Sequence, residues 1–345
     1  MNNQLYNQRG KKDLEKDLGN EMFDRVTLSF YRYVELKELN TFRDKLYKDF
    51  IDLSALGRVY ISEEGINAQI SIPENKYIDF INYIKSYDEF KNIQLKNAVQ
   101  EGNSFYKLII KIKNEIVAYG INKNSYDMNR VGNHLHPIEF NKELSKPDSI
   151  IIDMRNHYES EVGHFKNAII PDVDRSQDLL KEVRRLLNGR EDNKILLYCT
   201  GGIRCEKASS FLIKNNFNDV NQLDGGIIKY SHEVKKNKIK SQFIGKNFVF
   251  DARMGERITS DIISSCHQCN HKSDSHANCE NDLCHLLFIQ CNRCNEKFMG
   301  CCCIECLDYY NLDEKNKEKK KEEFLDFNNK RLQGKVKPKL YDILN

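Results

Sequence analysis

A cysteine and an arginine on either side of two glycines form the part of this sequence best suited to chemistry. The apolar residues 195–197 predict a buried strand that leads to Cys199, and a helical pattern begins just beyond Arg204. Backbone N–H groups and the dipole at a helix start favour an anion, so Cys199 is predicted to be a thiolate-rich, catalytic nucleophile. Gly201 and Gly202 let the loop curl and Arg204 adds a permanent cation, so these three residues are predicted to bind an anion or the substrate.

The length of this loop narrows the chemistry, because four residues separate Cys199 from Arg204. Cysteine phosphatases use a loop one residue longer, and the shorter ring is too tight for phosphate to fit well around the sulfur. The six-residue pattern Cys-x-x-x-x-Arg is typical of rhodaneses, in which the cysteine carries a persulfide. The alternative is a core cysteine that ends a buried strand, but the glycines, the arginine and the helix favour a reactive cysteine.

Two further charged residues follow an earlier apolar strand at residues 150–152. Strands alternate with helices from residue 148 to 240, which is typical of an α/β domain with a parallel sheet. Ligands bind beyond the carboxyl ends of the strands in such sheets, where Asp153, Arg155 and Cys199 all fall. Asp153 and Arg155 are therefore predicted to bind an anion or the substrate, although a structural ion pair explains them equally well.

Ten of the twelve cysteines lie between residues 266 and 306. Cys-x-x-Cys pairs present two thiolates to one tetrahedral ion, and four cysteine clusters suit two structural zinc ions. Redox-active or disordered thiols are the alternative to zinc. A segment this short cannot build a sizeable core, so bound metal would supply much of its folding free energy. The predicted ligands are Cys266, Cys269, Cys279, Cys284, Cys291, Cys294, Cys302 and Cys306, with His267, His271, His276 and His285 as substitutes.

The segment from residue 23 to 120 shows the element order β-α-β-β-α-β of a ferredoxin-like, or acylphosphatase-like, α+β domain. Nothing in this domain predicts catalysis. Four of its aromatic residues could stack on RNA bases, but aromatic residues of strands usually lie in the core, and core positions are predicted here. These residues are Tyr31, Tyr60, Phe105 and Tyr106.

The composition bounds the location and the partners of the protein. Its 345 residues allow two or three domains, and 40 % hydrophobic and 30 % charged residues are ordinary for soluble cores. We find no apolar run of membrane-spanning length and no signal-peptide core, so we predict a cytoplasmic protein without a membrane partner. Cysteines are then catalytic or metal-bound rather than paired in disulfides. With a net charge of +3, RNA binding needs local patches such as the lysine-rich residues 315–321.

Several motifs distributed over the chain carry a family resemblance. They are residues 64–67, 104–108, 153–155, 158–165, 199–208, 223–227 and 247–251 and the cysteine cluster. The central motifs resemble a rhodanese, and from about residue 23 to 310 the chain resembles the bacterial rhodanese-related tRNA uridine hydroxylases. The resemblance implies conversion of uridine 34, the wobble uridine of certain tRNAs, to 5-hydroxyuridine, with molecular oxygen as co-substrate and Cys199 as the functional cysteine. The third residue of the 301–303 cysteine run is usually not cysteine in this family, which leaves open which of the three binds metal.

The fold class that follows is α/β with three folded parts. A central rhodanese domain with a parallel sheet is preceded by the ferredoxin-like α+β domain and followed by a small cysteine-rich module, which we expect to bind zinc. The expected boundaries are a flexible arm at 1–22, the first domain at 23–120, a linker at 121–147, the rhodanese domain at 148–240, a connector at 241–262, the cysteine-rich module at 263–312 and a charged tail at 313–345.

The residues alone do not identify how oxygen would be activated. The sequence shows no convincing iron site of two histidines and a carboxylate and no Gly-x-Gly-x-x-Gly nucleotide fingerprint. Cys199 could act as a thiolate, as a persulfide or through a covalent adduct with uracil. Competing functions are a persulfide sulfurtransferase acting on a small thiol or on tRNA, and a zinc-bound RNA-binding module. The flanking domains favour a macromolecular substrate over a small one, and the resemblance implies the anticodon region of tRNA as that partner. A small sulfur or electron donor is a further expected partner, and the oligomeric state stays open.

Overall fold

The computed structural model describes residues 9–333, 335, 337–340 and 343. Three parts follow one another along the chain, which we call the N-terminal domain (residues 25–112), the central domain (133–236) and the C-terminal region (243–343). The predicted α/β organisation, with a parallel sheet in the middle of the chain, is confirmed.

The N-terminal domain is a five-stranded sheet with two long helices packed on its apolar face. Its elements are β1 (Arg25–Tyr33), α2 (Leu39–Asp52), β2 (Leu56–Ser62), β3 (Gly65–Pro73), α3 (Tyr77–Lys85), β4 (Lys96–Asn97) and β5 (Leu108–Ile112), preceded by α1 (Lys11–Gly19). The strand order is β4-β1-β3-β2-β5, antiparallel except between β2 and β5. This topology confirms the ferredoxin-like prediction.

Strand β1 shows why one face of this sheet is available to the rest of the chain. Leu28 and Phe30 are almost completely buried in the core of the domain together with Phe50 and Phe80 from the two helices. Because successive side chains of a strand point to opposite faces, Tyr31 lies on the side away from these helices. That side faces the central domain.

The central domain contains a four-stranded parallel sheet of order β6-β10-β9-β7. Apolar side chains pack on both faces of this sheet, in two separate clusters, as expected for parallel strands covered by helices. Its elements are β6 (Asn133–Leu135), α4 (Pro137–Glu143), β7 (Ser149–Asp153), α5 (His157–Ser160), β8 (Gly163–Phe165), α6 (Ser176–Leu186), β9 (Lys194–Tyr198), α7 (Ile203–Lys214), β10 (Asp219–Leu223) and α8 (Gly226–Lys236).

The interpretation of residues 121–147 as a linker needs a correction. Strand β6 pairs in parallel with β10 at the edge of the central sheet, and α4 packs through Phe140 against the same core. The strand is short and its residues are polar or only partly buried, so no apolar alternation signalled it. Pro137 at the first position of α4 was a start signal for a helix as much as for a linker.

The described part of the C-terminal region continues from the central domain and forms only small sheets. Strand β11 pairs with β8 of the central domain and with β12, and β13 and β14 form a separate two-stranded hairpin. Its elements are β11 (Phe243–Asn247), β12 (Glu256–Arg257), β13 (His276–Asn278), β14 (Leu287–Ile289), α9 (Asn292–Phe298), α10 (Ile304–Tyr310) and α11 (Glu314–Leu332).

Both ends of the chain are more ordered than the sequence suggested. Helix α1 lies within the predicted flexible arm and buries Leu14 and Leu18, whereas residues 1–8 of that arm lie outside the described residues. In the predicted charged tail, α11 packs Phe324 against the cysteine-rich core, together with Leu340. In the part of the chain that the structure describes, no helix combines the length and the apolar character needed to cross a lipid bilayer.

A buried ion pair connects the N-terminal domain with helix α7. The Lys207 side chain is completely buried, and its ammonium lies 2.8 Å from a carboxylate oxygen of Glu64 and 2.9 Å from one of Glu115. A buried cation of this kind needs its partners, because charges lose their hydration on burial. The orientation of the two domains therefore depends on this contact.

Replacing Lys207 by methionine should destabilise the protein by about 3–5 kcal/mol, because two carboxylates lose their shared cation. Urea unfolding followed by circular dichroism measures the change. Lys91→Met is the matched control, since Lys91 forms an exposed pair with Asp88 and such pairs contribute little to the free energy of unfolding. Equal effects of the two substitutions would show that Lys207 does not hold the domains together.

Candidate active site

The sulfur of Cys199 lies inside the loop that connects β9 to α7. Cys199 is completely buried, and its Sγ atom accepts a hydrogen bond of 3.1 Å from the backbone N–H of Gly202. Gly202 has φ of 100°, a conformation that side chains disfavour, and a Cβ atom there would lie 2.9 Å from the Tyr31 hydroxyl. The predicted glycine-dependent curl of the loop is therefore confirmed at Gly202.

The environment of Cys199 favours the thiolate. Burial by itself raises the pKa of Cys199, but the Cys205 thiol, the Arg204 guanidinium and the backbone N–H groups of Arg204 and Cys205 lower it to about 5. Burial and the neighbouring Cys199 charge raise the pKa of Cys205 well above its ordinary value, so this thiol stays protonated and donates to the Cys199 sulfur. The loop thus holds one thiolate and one thiol side by side.

Arg204 acts on this sulfur while it is paired with a carboxylate. Its guanidinium donates two hydrogen bonds to Glu159, of 2.6 Å and 2.9 Å, and a third of 3.2 Å to the Thr200 hydroxyl. Glu159 is completely buried. The sequence indicated a cation free to hold a substrate anion, whereas the structure shows one already held by Glu159. Arg204 therefore contributes to the site through its positive charge beside Cys199.

Asp153 and Arg155 form a completely buried ion pair beneath the loop. Arg155 donates to both carboxylate oxygens of Asp153, at 2.9 Å and 2.7 Å, and to the carbonyl of Gly163 at 2.7 Å. Asp153 also accepts hydrogen bonds from the hydroxyls of Ser160 and Tyr198. Both side chains are buried, so in this conformation neither reaches a substrate. A structural ion pair, the alternative to substrate binding, accounts for their position.

The backbone of the loop is held from below by the start of α8. The N–H groups of Ile227 and Ile228 donate to the carbonyls of Cys199 and Thr200, at 3.0 Å and 3.2 Å. A Cβ atom at Gly226 would lie 2.6 Å from both of these carbonyl oxygens. Only glycine lets the helix approach the loop this closely, which gives a physical reason for Gly226 in the motif at residues 223–227.

Above the loop lies a cavity of about 460 Å³ that all three parts of the chain enclose. This volume falls in the range of roughly 300–1,000 Å³ that is typical of small-molecule sites. The central domain contributes the floor with Cys199, Thr200, Gly201 and Arg204. The remaining walls come from the N-terminal domain, the segment that directly follows it and the C-terminal region. They include Tyr31, Arg58, Tyr60, Asn67, Gln69, Lys96, Phe105, Lys113, Val249, Phe250 and Arg253.

The contribution of the N-terminal domain to this cavity was not predicted. Tyr31 donates a hydrogen bond of 3.0 Å to Glu206 of α7, and its ring lies 4.3 Å from the Lys96 ammonium. Core positions were predicted for Tyr31 and Tyr60, and both line the cavity instead. Strand β1 carries aromatic residues on both of its faces, at Phe30 and Tyr31, and this alternation was the available signal for a second contact surface. Phe105 is buried as predicted and lines the cavity as well.

A second cavity of about 500 Å³ adjoins the first one. The two share Arg58, Phe105 and Phe250 among their lining residues. Tyr106, for which a core position was predicted, lines the second cavity, together with Lys337. The protein therefore offers two adjacent spaces with aromatic walls and cationic side chains.

The cysteines of the C-terminal region form two groups that could each hold a metal ion. Within each group the four sulfur atoms lie within 4.8 Å of one another. Measured sulfur–sulfur distances are 3.6 Å in the first group and 3.5 Å and 3.7 Å in the second. A tetrahedral zinc site with bonds of about 2.3 Å requires about 3.8 Å, so the geometry fits. The groups are Cys266, Cys269, Cys291 and Cys294, and Cys279, Cys284, Cys302 and Cys306.

The second group has a cation beside it. Arg331 of α11 donates to the sulfur atoms of Cys303 at 2.9 Å and Cys284 at 3.2 Å. Cys303 is adjacent to the group without belonging to it, so Cys302 is the member of the 301–303 run that the geometry selects. The histidines named as substitutes belong to neither group.

Alkylation of Cys199 by iodoacetamide should show a midpoint near pH 5, since the thiolate is the reacting form and its pKa is about 5. Peptide mass spectrometry of samples quenched along a pH series separates Cys199 from the other cysteines. Cys205→Ala should raise the midpoint, because the hydrogen bond from the Cys205 thiol is lost. A wild-type midpoint near ~8.5, the value of a free cysteine, would mean that the loop does not stabilise the thiolate.

Comparison with protein families divides the chain in the same way as the structure. Residues 25–116 match the UPF0176 acylphosphatase like domain, residues 136–233 the Rhodanese-like domain and residues 244–307 the Rhodanase C-terminal model. Among solved structures, a rhodanese-related protein from Thermoplasma volcanium is 21% identical with a TM-score of 0.24, and covers 29% of this chain and 92% of its own. A rhodanese-like domain protein from Staphylococcus aureus is also 21% identical with a TM-score of 0.24, and it covers 28% of this chain and 90% of its own.

Two curated relatives match nearly the whole chain. A tRNA uridine(34) hydroxylase from Leptospira interrogans serovar Lai is 49% identical over 340 residues, which is 98% of this chain and 93% of the relative. A second, from an Enterobacter species, is 45% identical over 92% of this chain and 91% of its own length. With this degree of identity over the N-terminal domain, the Cys199 loop and the cysteine groups together, the chain belongs to the tRNA uridine(34) hydroxylase family.

Proposed function

We propose that this protein hydroxylates uridine 34 of tRNA to 5-hydroxyuridine, with Cys199 as the reacting residue. One observation carries the proposal: a cysteine with a pKa of about 5 forms the floor of a cavity with aromatic walls. Flat apolar walls with a few polar groups suit a nucleobase that has left its stack. The relatives named tRNA uridine(34) hydroxylase indicate the substrate and the position.

The cavity also has side chains suited to a uracil edge. Uracil presents two carbonyl oxygens and one N–H, so it needs both donors and an acceptor. The side-chain amides of Asn67 and Gln69, on the central strand β3 of the N-terminal domain, provide both. Tyr31 and Phe105 supply apolar ring surface in the same walls. In our proposal these residues hold the base while Cys199 approaches it from the floor.

The thiolate would react by adding to C6 of the uracil ring. A sulfur–carbon bond forms, the C5=C6 π electrons move towards the C4 carbonyl, and C5 becomes electron-rich. After C5 has been hydroxylated, C5 loses its proton and the sulfur leaves C6 as the thiolate, which restores the C5=C6 double bond. The low pKa of Cys199 supports this role, because the nucleophile is already deprotonated at neutral pH. Gly202 shapes the loop and, together with Arg204, keeps the charge on sulfur, while Gly201 lines the floor of the cavity.

Molecular oxygen is the proposed co-substrate. In the net reaction one oxygen atom enters the C5–H bond and the other becomes water, which consumes two protons and two electrons. The two electrons and two protons come from a small donor, for which a dithiol that is oxidised to its disulfide is the simplest class. Oxygen-18 gas should therefore label the new hydroxyl, whereas labelled water should not.

The tRNA would be positioned by surfaces beyond the reacting base. The second cavity, which shares Arg58, Phe105 and Phe250 with the first, has room for a nucleotide that flanks uridine 34 in the anticodon loop. With a net charge of +3, binding should involve few phosphates and show a moderate salt dependence. A substrate of this kind places the reaction in the cytoplasm.

A sulfurtransferase that carries a persulfide on Cys199 is the second candidate. The six-residue loop and the hydrogen bond from Gly202 to the sulfur favour a persulfide anion as much as a thiolate. The walls from the N-terminal domain favour the hydroxylase, because a small sulfur donor and a small thiol acceptor need no aromatic cavity of this size. The two functions leave different products on tRNA.

For the cysteine groups we propose two structural zinc ions, one in each set of four sulfur atoms. All twelve cysteines are free, and thiolate sulfur in a tetrahedral arrangement is a preferred zinc environment. The ions would hold the hairpin β13–β14 and helices α9 and α10 in place, in a region where cysteines make up more than half of the buried core residues. Arg331 would offset part of the negative charge of the second site.

Cys199→Ser should abolish 5-hydroxyuridine formation while the fold is retained, because serine is nearly isosteric but a far weaker nucleophile. Nucleoside mass spectrometry of tRNA compares a deletion strain complemented with wild type, with Cys199→Ser or with Lys214→Ala, an exposed control at the end of α7. Loss of a thiolated nucleoside instead of 5-hydroxyuridine would favour the sulfurtransferase. Normal 5-hydroxyuridine with a folded serine variant would remove Cys199 from the reaction.

Protein purified under reducing conditions without chelator should contain about two zinc ions per chain, as four-thiolate sites imply. Cys294→Ser should lower the content to about one, whereas Cys303→Ser should leave it unchanged, because Cys303 lies outside both groups. Elemental analysis gives the count, and hydrogen exchange after chelation should show unfolding of the cysteine-rich segment and a folded central domain. Absence of zinc from the purified wild type would defeat the proposal.

A further inference from the structure

Lys96 is a buried lysine that lines the same cavity as the Cys199 loop. It lies on β4, the edge strand, where its backbone pairs with Ser29 of β1. The residue is only 9% exposed and lines the cavity together with Tyr31 and Cys199. A lysine in such a position is unusual, because this side chain is rarely buried without a partner.

The ammonium of Lys96 has N–H groups that remain available for hydrogen bonds. It lies 4.3 Å from the centre of the Tyr31 ring, and among the described residues no hydrogen-bond acceptor or carboxylate pairs with it. The nearby carboxylates have other partners: Glu206 accepts from Tyr31 and Asp224 pairs with Lys229. Lys96 is therefore held in place by packing and by an aromatic ring, with its N–H groups available to a molecule in the cavity.

The other cations around the cavity differ from Lys96 because each of them either donates to an acceptor or is exposed. Arg204 is paired with Glu159, and Arg253 with Asp251 and Glu256. The Arg58 guanidinium donates to the backbone carbonyl of Phe250, and Lys113 is exposed. Within the described structure, Lys96 is the buried cation of this cavity that pairs with no acceptor. Lys96 lines the cavity together with Cys199, so it places a positive charge in the wall of the space that a bound base would occupy.

The charge state of Lys96 suits a donor that acts near neutral pH. Burial lowers the pKa of Lys96 to about 8, with Lys229 acting in the same direction and Cys199, Asp224 and Glu206 in the opposite one. Tyr31, which also faces it, stays protonated because burial raises the pKa of Tyr31 well above its usual value. The ammonium form therefore predominates up to about pH 8 and is lost above it.

We propose that Lys96 is a second catalytic residue, whose ammonium donates a hydrogen bond to the O4 oxygen of the uracil when the Cys199 sulfur adds to C6. This proposal rests on the function proposed above. As the sulfur–C6 bond forms, the C5=C6 π pair moves into the conjugated carbonyl, and O4 takes up the negative charge that leaves the thiolate. Lys96 stabilises this enolate through the hydrogen bond and keeps its proton throughout, and the charge moves back from O4 towards C5 when the enolate collapses. Nothing is oxidised or reduced in this step.

The charge would thus move from one stabilised position to another. Before addition the loop N–H groups and Arg204 stabilise the sulfur anion, and afterwards Lys96 stabilises the oxygen anion. A preorganised donor of this type accelerates a reaction because it needs no reorganisation when the charge develops. Removal of one such donor costs roughly 100-fold to 1,000-fold in kcat. The N-terminal domain would then contribute to the chemistry as well as to binding.

The test compares full-length wild type, Lys96→Met and Lys96→Arg on a tRNA anticodon stem-loop with uridine 34. We expect Lys96→Met to lower kcat roughly 100-fold or more, with a small change in KM and unchanged alkylation of Cys199. Lys96→Arg retains a cation and should keep more of the rate than Lys96→Met. Lys91→Met, an exposed lysine of the same domain outside the cavity, is the matched control and should react like wild type.

The pH dependence separates a catalytic from a structural role. Since the thiolate and the ammonium are both required, the wild-type kcat should rise through about pH 5 and fall above about pH 8. Lys96→Arg should lose the fall at high pH, because arginine keeps its proton there. A Lys96→Met rate within threefold of an active wild type, or an identical alkaline limb in Lys96→Arg, would overturn this proposal alone. An inactive wild type would overturn the proposed function, and this proposal with it.

Discussion

A negative charge on a sulfur atom that solvent does not reach is the constraint on which the rest of the site depends. Cys199 is completely buried, and burial alone works against its thiolate. The loop compensates through backbone N–H groups, the Cys205 thiol and the Arg204 charge. Glu159 in turn fixes Arg204 from below with two hydrogen bonds, and Gly226 lets α8 support the loop backbone. Together these features keep the sulfur anionic and hold it in place.

The reactive sulfur and the surface that would hold its substrate come from different parts of the chain. The central domain supplies the floor of the cavity, and the N-terminal domain and the C-terminal region supply its walls. Helix α7 links the two functions, because it starts at the loop and also carries Lys207 and Glu206, which contact Glu64 and Tyr31 of the N-terminal domain. A shift of that domain would change the cavity while leaving the thiolate intact. Reactivity of the cysteine and turnover of the substrate are therefore separable properties.

Sequence reasoning reached the parts of this site that depend on local pattern. The buried strand, the loop and the helix around Cys199 follow from residue types and spacing, and so does the set of eight cysteines that the structure collects into two groups. Contacts between distant residues were out of reach: that Arg204 is paired, that Asp153 is completely buried, and that residues 133–135 complete the central sheet. Lys96 was missed for the same reason, because a single lysine on a short edge strand carries no pattern.

We propose that uridine 34 enters the cavity between the Cys199 loop and the N-terminal domain. Photo-cross-linking of an anticodon stem-loop with 4-thiouridine at position 34, read out by peptide mass spectrometry, tests it most directly. Cross-links should fall on peptides that contain the Cys199 loop and on those that contain Tyr31 or Lys96 of the N-terminal domain. Cross-links confined to the cysteine groups or to α11, with none in the walls of the cavity, would contradict the claim.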